Sequence, residues 1–155
     1  MQLYKSMRIE EEIKGHFRNE YHKGLINLSY TVKQLSYEFL QTIKKHGLAE
    51  PQYNILRVLR GFRSEGPSSI GFLRERMLDK SSDVSRLVDK LHIKGLVERT
   101  ENTDDRRQKN IVITERGLAL LLTMDDCEKK VDTLLTKLSP EEVLQLNHLL
   151  DKIRG

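Results

Sequence analysis

The sequence predicts a mainly α-helical fold interrupted by one small β-hairpin. Three observations carry that prediction. Apolar residues recur every three or four positions along most of the 155 residues, the spacing of one helix face. At residues 96–114 the period drops toward two, and a charged loop divides two short β-prone runs. Finally, 32% of residues are charged and 37% hydrophobic, with no Trp and three Pro, which excludes collagen-like and proline-rich chains.

The first helical stretch covers residues 8–46. Leu25, Leu28, Val32, Leu35, Phe39 and Ile43 step by three or four along one stripe. Gly15 and Gly24 are the points at which it can break early. Lys44, Lys45 and His46 suit a helix C-terminus electrostatically, and Gly47 supplies a left-handed stop. A second helix is expected at 50–62, with Pro51 in its first turn and Ile55, Leu56, Leu59 and Phe62 on one face. Ser64-Glu65-Gly66-Pro67 is a turn.

Two short helices follow. One covers 68–77, with Ile70, Leu73 and Met77 inward. The other covers 81–94, with Val84, Leu87, Val88 and Leu91 inward. Ser81 or Ser82 can cap it by accepting an orphan N–H. Leu78-Asp79-Lys80 is the tight turn between them, and Gly95 ends the second.

Strands are then predicted at Leu96–Thr100 and Lys109–Thr114, joined by the polar loop Glu101–Gln108. Thr114 caps a helix over 115–136, with Leu118, Leu121, Leu122, Val131, Leu134 and Leu135 apolar. Ser139-Pro140-Glu141-Glu142 starts the last helix, 140–153, as a capping box with Pro in the first turn. Two short helices joined by a tight turn and followed by a charged hairpin make a winged helix-turn-helix. The predicted architecture is therefore a winged helix-turn-helix plus a helical dimerisation region, divided as 1–48, 49–116 and 117–155.

Charge follows the same division. The net formal charge is +4 and the pI about 9.2. Residues 51–116 hold 14 basic and 10 acidic side chains, whereas 117–155 hold 5 and 7. A basic middle and an acidic tail suggest that the middle meets a polyanion. No apolar run reaches the roughly 18 residues of a membrane span, and the N-terminus shows no apolar core or cleavage site of a signal peptide. With one Cys no internal disulfide can form, which fits the cytoplasm.

The string LVDKLHIKGLVERTENTDDRRQKNIVITERG at 87–117 resembles the MarR family of bacterial transcription regulators, as do PQYNILRVLRG at 51–61 and DKSSDVSRL at 79–87. SRLVDKL, KGLVER, DDRR and ITERG at these spacings are specific in combination, and each alone is weak. The resemblance implies a homodimer whose N-terminal and last two helices intertwine. It also implies double-stranded DNA as the partner, read at a pseudo-palindromic site, with repression as the expected sign and release by a small-molecule effector. The residues support dimerisation independently. A winged unit of this size could not cover the apolar stripes of 8–46, 115–136 and 140–153, and a partner subunit is the economical cover. The family usually caps the 50–62 helix with Thr or Ser. Ala49 stands there instead, a loss on the order of 1 kcal/mol.

The helix at 81–94 is then the recognition helix. With Val84 and Leu87 inward, Ser82, Asp83, Ser85 and Arg86 can face the groove. Serine can meet phosphate or base edges, carboxylate can accept from cytosine N4, and arginine can grip guanine bidentately. By resemblance, Arg106 at the hairpin tip enters the minor groove, and Arg107 pairs with Asp89 to pin the wing. Arg74, Arg76, Lys80, Lys90 and Lys109 can reach phosphates, with Arg74 and Lys80 foremost.

Relatives often bind small aromatic or phenolic anions where the dimer helices meet the winged unit. Tyr37, His46, Arg57 and Arg60 are the candidates here. Cys127 reads as an ordinary packed thiol, with no second Cys to resolve a sulfenic acid. The histidines, His16, His22, His46, His92 and His148, form no close ligand pair, so no metal or cofactor is expected. An enzyme is not expected either: GxSxG, HExxH and a phosphate-cradling glycine loop are absent, and Asp104-Asp105 reads as a charged turn. The competing reading is a winged-helix dimerisation or adaptor protein without specific DNA binding.

Overall fold

The computed structural model describes residues 8–102 and 109–155. The chain divides into two compact units, Met1–Glu38 and Phe39–Gly155, with the boundary inside one long helix.

In the first unit, α1 (Ile9–Ile13) ends at Lys14 in the left-handed region (φ 51°), next to Gly15. This is the early interruption that the glycine foreshadowed. Helix α2 (Glu20–Lys45) then begins with Asn19 Oδ1 accepting from the His22 N–H at 2.9 Å. Gly24 lies inside α2 without breaking it. Within the unit, Lys23 pairs with Glu10 and Tyr30 Oη donates to Glu12 Oε2 at 2.9 Å. Leu25, Leu28 and Val32 are exposed.

The second unit is built on α3 (Glu50–Gly61), whose Ile55, Leu56 and Leu59 are buried. Ala49 offers no side-chain cap. The buried Gln52 partly compensates, its Oε1 accepting from the Ala49 N–H at 3.0 Å. Helix α4 (Ile70–Glu75) starts two residues later than the expected 68 because Ser68 is extended and bridges Ile111, with N–H···O distances of 2.9 and 2.8 Å. Ser69 then caps α4 through the Phe72 N–H at 3.1 Å. Helix α5 (Val84–Ile93) buries Val84, Val88 and Leu91.

Strands β1 (Val97–Glu101) and β2 (Lys109–Ile113) pair antiparallel, with Val97 opposite Ile113 and Glu101 opposite Lys109. Thr114 caps α6 (Glu115–Leu122) through the Gly117 N–H at 3.0 Å and donates to the Gly95 carbonyl at 2.8 Å. The core of the unit runs through Ile43, Ile55, Leu56, Leu73, Val88, Leu91, Ile111, Leu121 and Met124.

The helix expected over 115–136 is two helices. It breaks at Thr123–Met124, where the Thr123 hydroxyl donates to the Leu120 carbonyl at 2.6 Å, and resumes as α7 (Asp125–Asp132). Turns carry the chain onward, Thr133 and Thr136 bonding back to Lys130 and Thr133 carbonyls at 2.7 and 2.8 Å. The capping box forms as expected before α8 (Pro140–Arg154): the Glu142 N–H reaches Ser139 Oγ at 3.3 Å, and the Ser139 N–H reaches Glu142 Oε2 at 2.8 Å. No residue of α8 is buried, and Leu144, Leu149 and Ile153 are exposed. Among the described residues no helix is long and apolar enough to cross a membrane.

Candidate nucleic-acid interface

The exposed side of α5 is set by what the opposite side buries. Val84, Val88 and Leu91 face the core, so Ser85, Arg86, Asp89 and Lys90 are exposed, with the half-buried Ser82 continuing the same 3–4 spacing. These are the residue types that phosphates and base edges bond.

The helix does not start where its serines suggested. Asp83 is the cap, its Oδ1 accepting from the Arg86 N–H at 3.1 Å. Ser81 and Ser82 instead close a turn on Asp79. The Asp79 carboxylate accepts from Ser81 N and Oγ at 2.9 and 2.6 Å and from Ser82 Oγ at 3.2 Å. Those bonds, the Ser81 hydroxyl first, hold the Asp79 carboxyl below its usual range. Capping therefore falls to Asp83, whose carboxylate is partly committed to the helix.

The other predicted cations divide by their partners. Arg74 is exposed, and its side chain makes no hydrogen bond or ion pair among the described residues. Lys80 Nζ donates to the Glu75 carbonyl at 2.6 Å. Arg76 is built into the winged unit: its guanidinium lies 3.5 Å from the Phe72 ring centroid and 5.0 Å from that of Phe62, and it donates to the Phe72 carbonyl at 3.1 Å. Lys109 pairs with Glu101 across the hairpin at 2.9 Å.

Asp89 does have an arginine on the wing. That residue is Arg99 of β1, whose Nη1 bonds Asp89 Oδ1. The expected partner, Arg107, lies outside the described residues, as does Arg106. The sequence reading missed Arg99, although its place in KGLVER, on the short strand after the recognition helix, was the available signal.

The effector candidates separate in the same way. Tyr37 belongs to the first unit and is exposed. Arg57 is exposed on α3. Arg60 is occupied, its Nη1 on Asp125 Oδ1 at 2.8 Å and its Nη2 on Glu128 Oε2 at 2.9 Å. Partial burial opposes its charge, but these two bonds hold its pKa above the usual value. The buried Tyr53 donates to the other oxygen of Glu128, and burial together with that bond raises its phenol pKa above the ordinary range. His46 lies elsewhere, in an open cleft of about 420 Å³ that also takes in Lys94, Arg116, Leu96, Ala119, Leu120 and Thr123. Its Nδ1 sits 2.9 Å from the Thr42 carbonyl. The sequence reading missed Lys94 and Arg116, which meet only in the fold. The Cys127 side chain lies outside the described residues. Among the described residues no group of three or more His, Cys, Asp or Glu could hold a metal.

Comparison with known proteins agrees with this geometry. Residues 46–108 match the model of the MarR family. The HTH-type transcriptional repressor MdtR of Bacillus subtilis is 29% identical over 129 residues, 83% of this chain and 81% of that protein. The transcriptional regulator MhqR of the same organism is 29% identical over 132 residues, covering 84% and 89%. A crystal structure of the S. aureus MepR–DNA complex superimposes with a TM-score of 0.68 at 25% identity, covering 81% of this chain and 94% of that one. AbsC, a MarR family regulator from Streptomyces coelicolor, gives 0.75 at 21% identity, covering 90% and 96%.

Proposed function

We propose that the chain is a DNA-binding transcription regulator of the MarR family, whose model it matches over residues 46–108, and that it acts as a homodimeric repressor released from a pseudo-palindromic operator by a small organic anion. The observation that carries the reading is the face of α5. Ser85 and Arg86 stand exposed at its N-terminal end, and Asp89 on the same face is tied to the wing by Arg99. In this reading Ser82, Asp83, Ser85 and Arg86 meet the major groove, while Arg74 and Lys80 take phosphates. Arg106 takes the minor groove, and Arg107 adds to the Asp89 contact.

Dimerisation rests on the uncovered apolar faces. Leu25, Leu28 and Val32 of α2 and Leu144, Leu149 and Ile153 of α8 are exposed in one chain, apolar side chains that a second copy would cover. Residues 1–48 and 117–155 are accordingly the dimerisation parts, and 49–116 the DNA-binding part. MdtR, named a repressor, supports the sign. The effector is an anion with an apolar body. The cleft at His46, Lys94 and Arg116 gathers three basic side chains and no carboxylate over an apolar floor, and its volume suits a small ligand.

Fluorescence anisotropy on DNA from upstream of the gene tests the reading. It is run at two salt concentrations, with scrambled DNA and with Arg86→Ala and Arg106→Ala/Arg107→Ala variants. Selective, salt-sensitive binding that the variants lose is the expected result. Equal weak binding to both DNAs, persisting after genome-wide site selection, would overturn it in favour of the adaptor reading.

A further inference from the structure

The break between α6 and α7 leaves the direction of α7 unset by helix continuity. Met124, at the junction, is fully buried and provides no side-chain cap. Beyond it, none of the described residues of α7 is buried, and Val131 is 39% exposed. Apolar packing by the described side chains of α7 therefore does little to hold it against the winged unit. A polar network holds it instead. The Arg60 guanidinium, in the last turn of α3, forks onto Asp125 and Glu128 in the first turn of α7 at 2.8 and 2.9 Å, and Tyr53 closes the remaining oxygen of Glu128.

The electrostatics of both helix ends favour this arrangement. A cation at the C-terminus of α3 and acids at the N-terminus of α7 each complement the local dipole, and here they also complement each other. All four side chains are at least partly withdrawn from water, so screening is weaker than at a surface pair. Helix α3 in turn packs against α5. An unbroken chain of contacts thus runs from α7 through α3 to the recognition helix.

We propose that Arg60, Asp125, Glu128 and Tyr53 form a positioning latch that fixes the angle at which α7 leaves the winged unit. In the proposed homodimer, on which this inference rests, that angle sets the distance between the two α5 helices. The latch residues touch no DNA. They act through the placement of α5.

Double electron–electron resonance on the full-length protein tests this, with a genetically encoded spin-label residue replacing the exposed Lys90 of α5. The wild-type distance distribution is compared with those of Arg60→Met and of the near-isosteric Asp125→Asn/Glu128→Gln, each checked for folding by circular dichroism. Arg60→Lys, which can keep one of the two ion pairs, should give partial rescue. A wider or displaced distribution in the latch variants, with secondary structure intact, is the expected result. A distribution identical to wild type in the folded variants would overturn the latch while leaving the regulator reading in place. No dipolar signal in the wild type would overturn the homodimer and the inference with it. If Arg60→Met does not fold, the isosteric double variant decides.

Discussion

Gly117 lies so close to the backbone carbonyl of Leu96 that no Cβ fits between them. A side-chain carbon there would also stand 2.7 Å from Ile113 Cγ1. The same carbonyl accepts the Thr114 N–H at 3.1 Å, so the start of α6 is held directly onto the base of the wing.

Gly117→Ala should therefore destabilise the protein by about 1–3 kcal/mol, the scale of overpacking in a well-filled site. The sign is informative because alanine otherwise favours a helix by up to roughly 1 kcal/mol. Gly61→Ala, at the end of α3 where an added Cβ would meet nothing within 4 Å, should be neutral or slightly stabilising. Thermal unfolding of the two variants beside wild type checks the pair. Equal midpoints for both would show that the wing base yields to the extra methyl.

The ion pair between Asp89 and Arg99 should matter more for DNA than for stability. Both side chains remain substantially exposed, 51% and 39%, so removing either should change unfolding by less than about 1 kcal/mol. The pair nonetheless joins α5, the proposed recognition helix, to β1. Arg99→Ala should weaken specific DNA binding several-fold in an anisotropy titration, and the exchange Asp89→Arg/Arg99→Asp should recover part of the loss. An affinity equal to wild type in Arg99→Ala would leave the wing positioned by other contacts.

Much of this architecture was legible in the sequence, for identifiable reasons. The capping box at Ser139, the cap at Thr114 and the buried face of α5 each follow from local spacing, which a folded neighbour has no reason to override. The break at Thr123–Met124 was not legible, because Leu118, Leu121 and Leu122 continue into Val131 and Leu134 as if on one helix. The distinction lies in the Thr123 hydroxyl, which bonds back to Leu120. Likewise Ser81 and Ser82 looked like caps because serine is a good one. Asp79, two and three residues upstream, competes for both hydroxyls, and a carboxylate is the stronger acceptor. Arg60 was found as a candidate, but its engagement with Asp125 and Glu128 spans more than sixty residues and leaves no local signature.

Alkaline pH should loosen α7 from α3. In the folded protein Tyr53 loses its proton only above the ordinary phenol range, because it is buried and donates to Glu128. In the unfolded chain it titrates near about 10. The unfolded state therefore releases the proton first. The contribution of Tyr53 to stability is complete below that pH and declines as pH rises beyond it. Urea unfolding across this range should show a fall in stability that Tyr53→Phe reduces. Ultraviolet phenolate absorbance of the folded protein should lose its latest-titrating component in the same variant. Loss of a component that titrates near the ordinary phenol range instead would place Tyr53 among ordinary, water-exposed phenols.

Base contacts and phosphate contacts should separate under salt. Arg86 is exposed near the start of α5, and the base contact proposed for it, if bidentate to guanine, would discriminate by about 1–3 kcal/mol. Arg86→Ala should therefore lower affinity for the selected site more than for scrambled DNA, with a smaller change in salt dependence. Arg74 lies on α4, exposed and free of any ion pair among the described residues. As a phosphate contact it acts alike on every sequence. If the proposed homodimer places Arg74 on one phosphate per subunit, Arg74→Gln should weaken binding to both DNAs in proportion and flatten the plot of log affinity against log salt by roughly 1.8, about 0.9 for each phosphate. Anisotropy titrations at several salt concentrations read both quantities at once. If Arg74→Gln changed selectivity while Arg86→Ala changed only the slope, the two roles would be reversed, and α4 rather than α5 would be the helix that reads the bases.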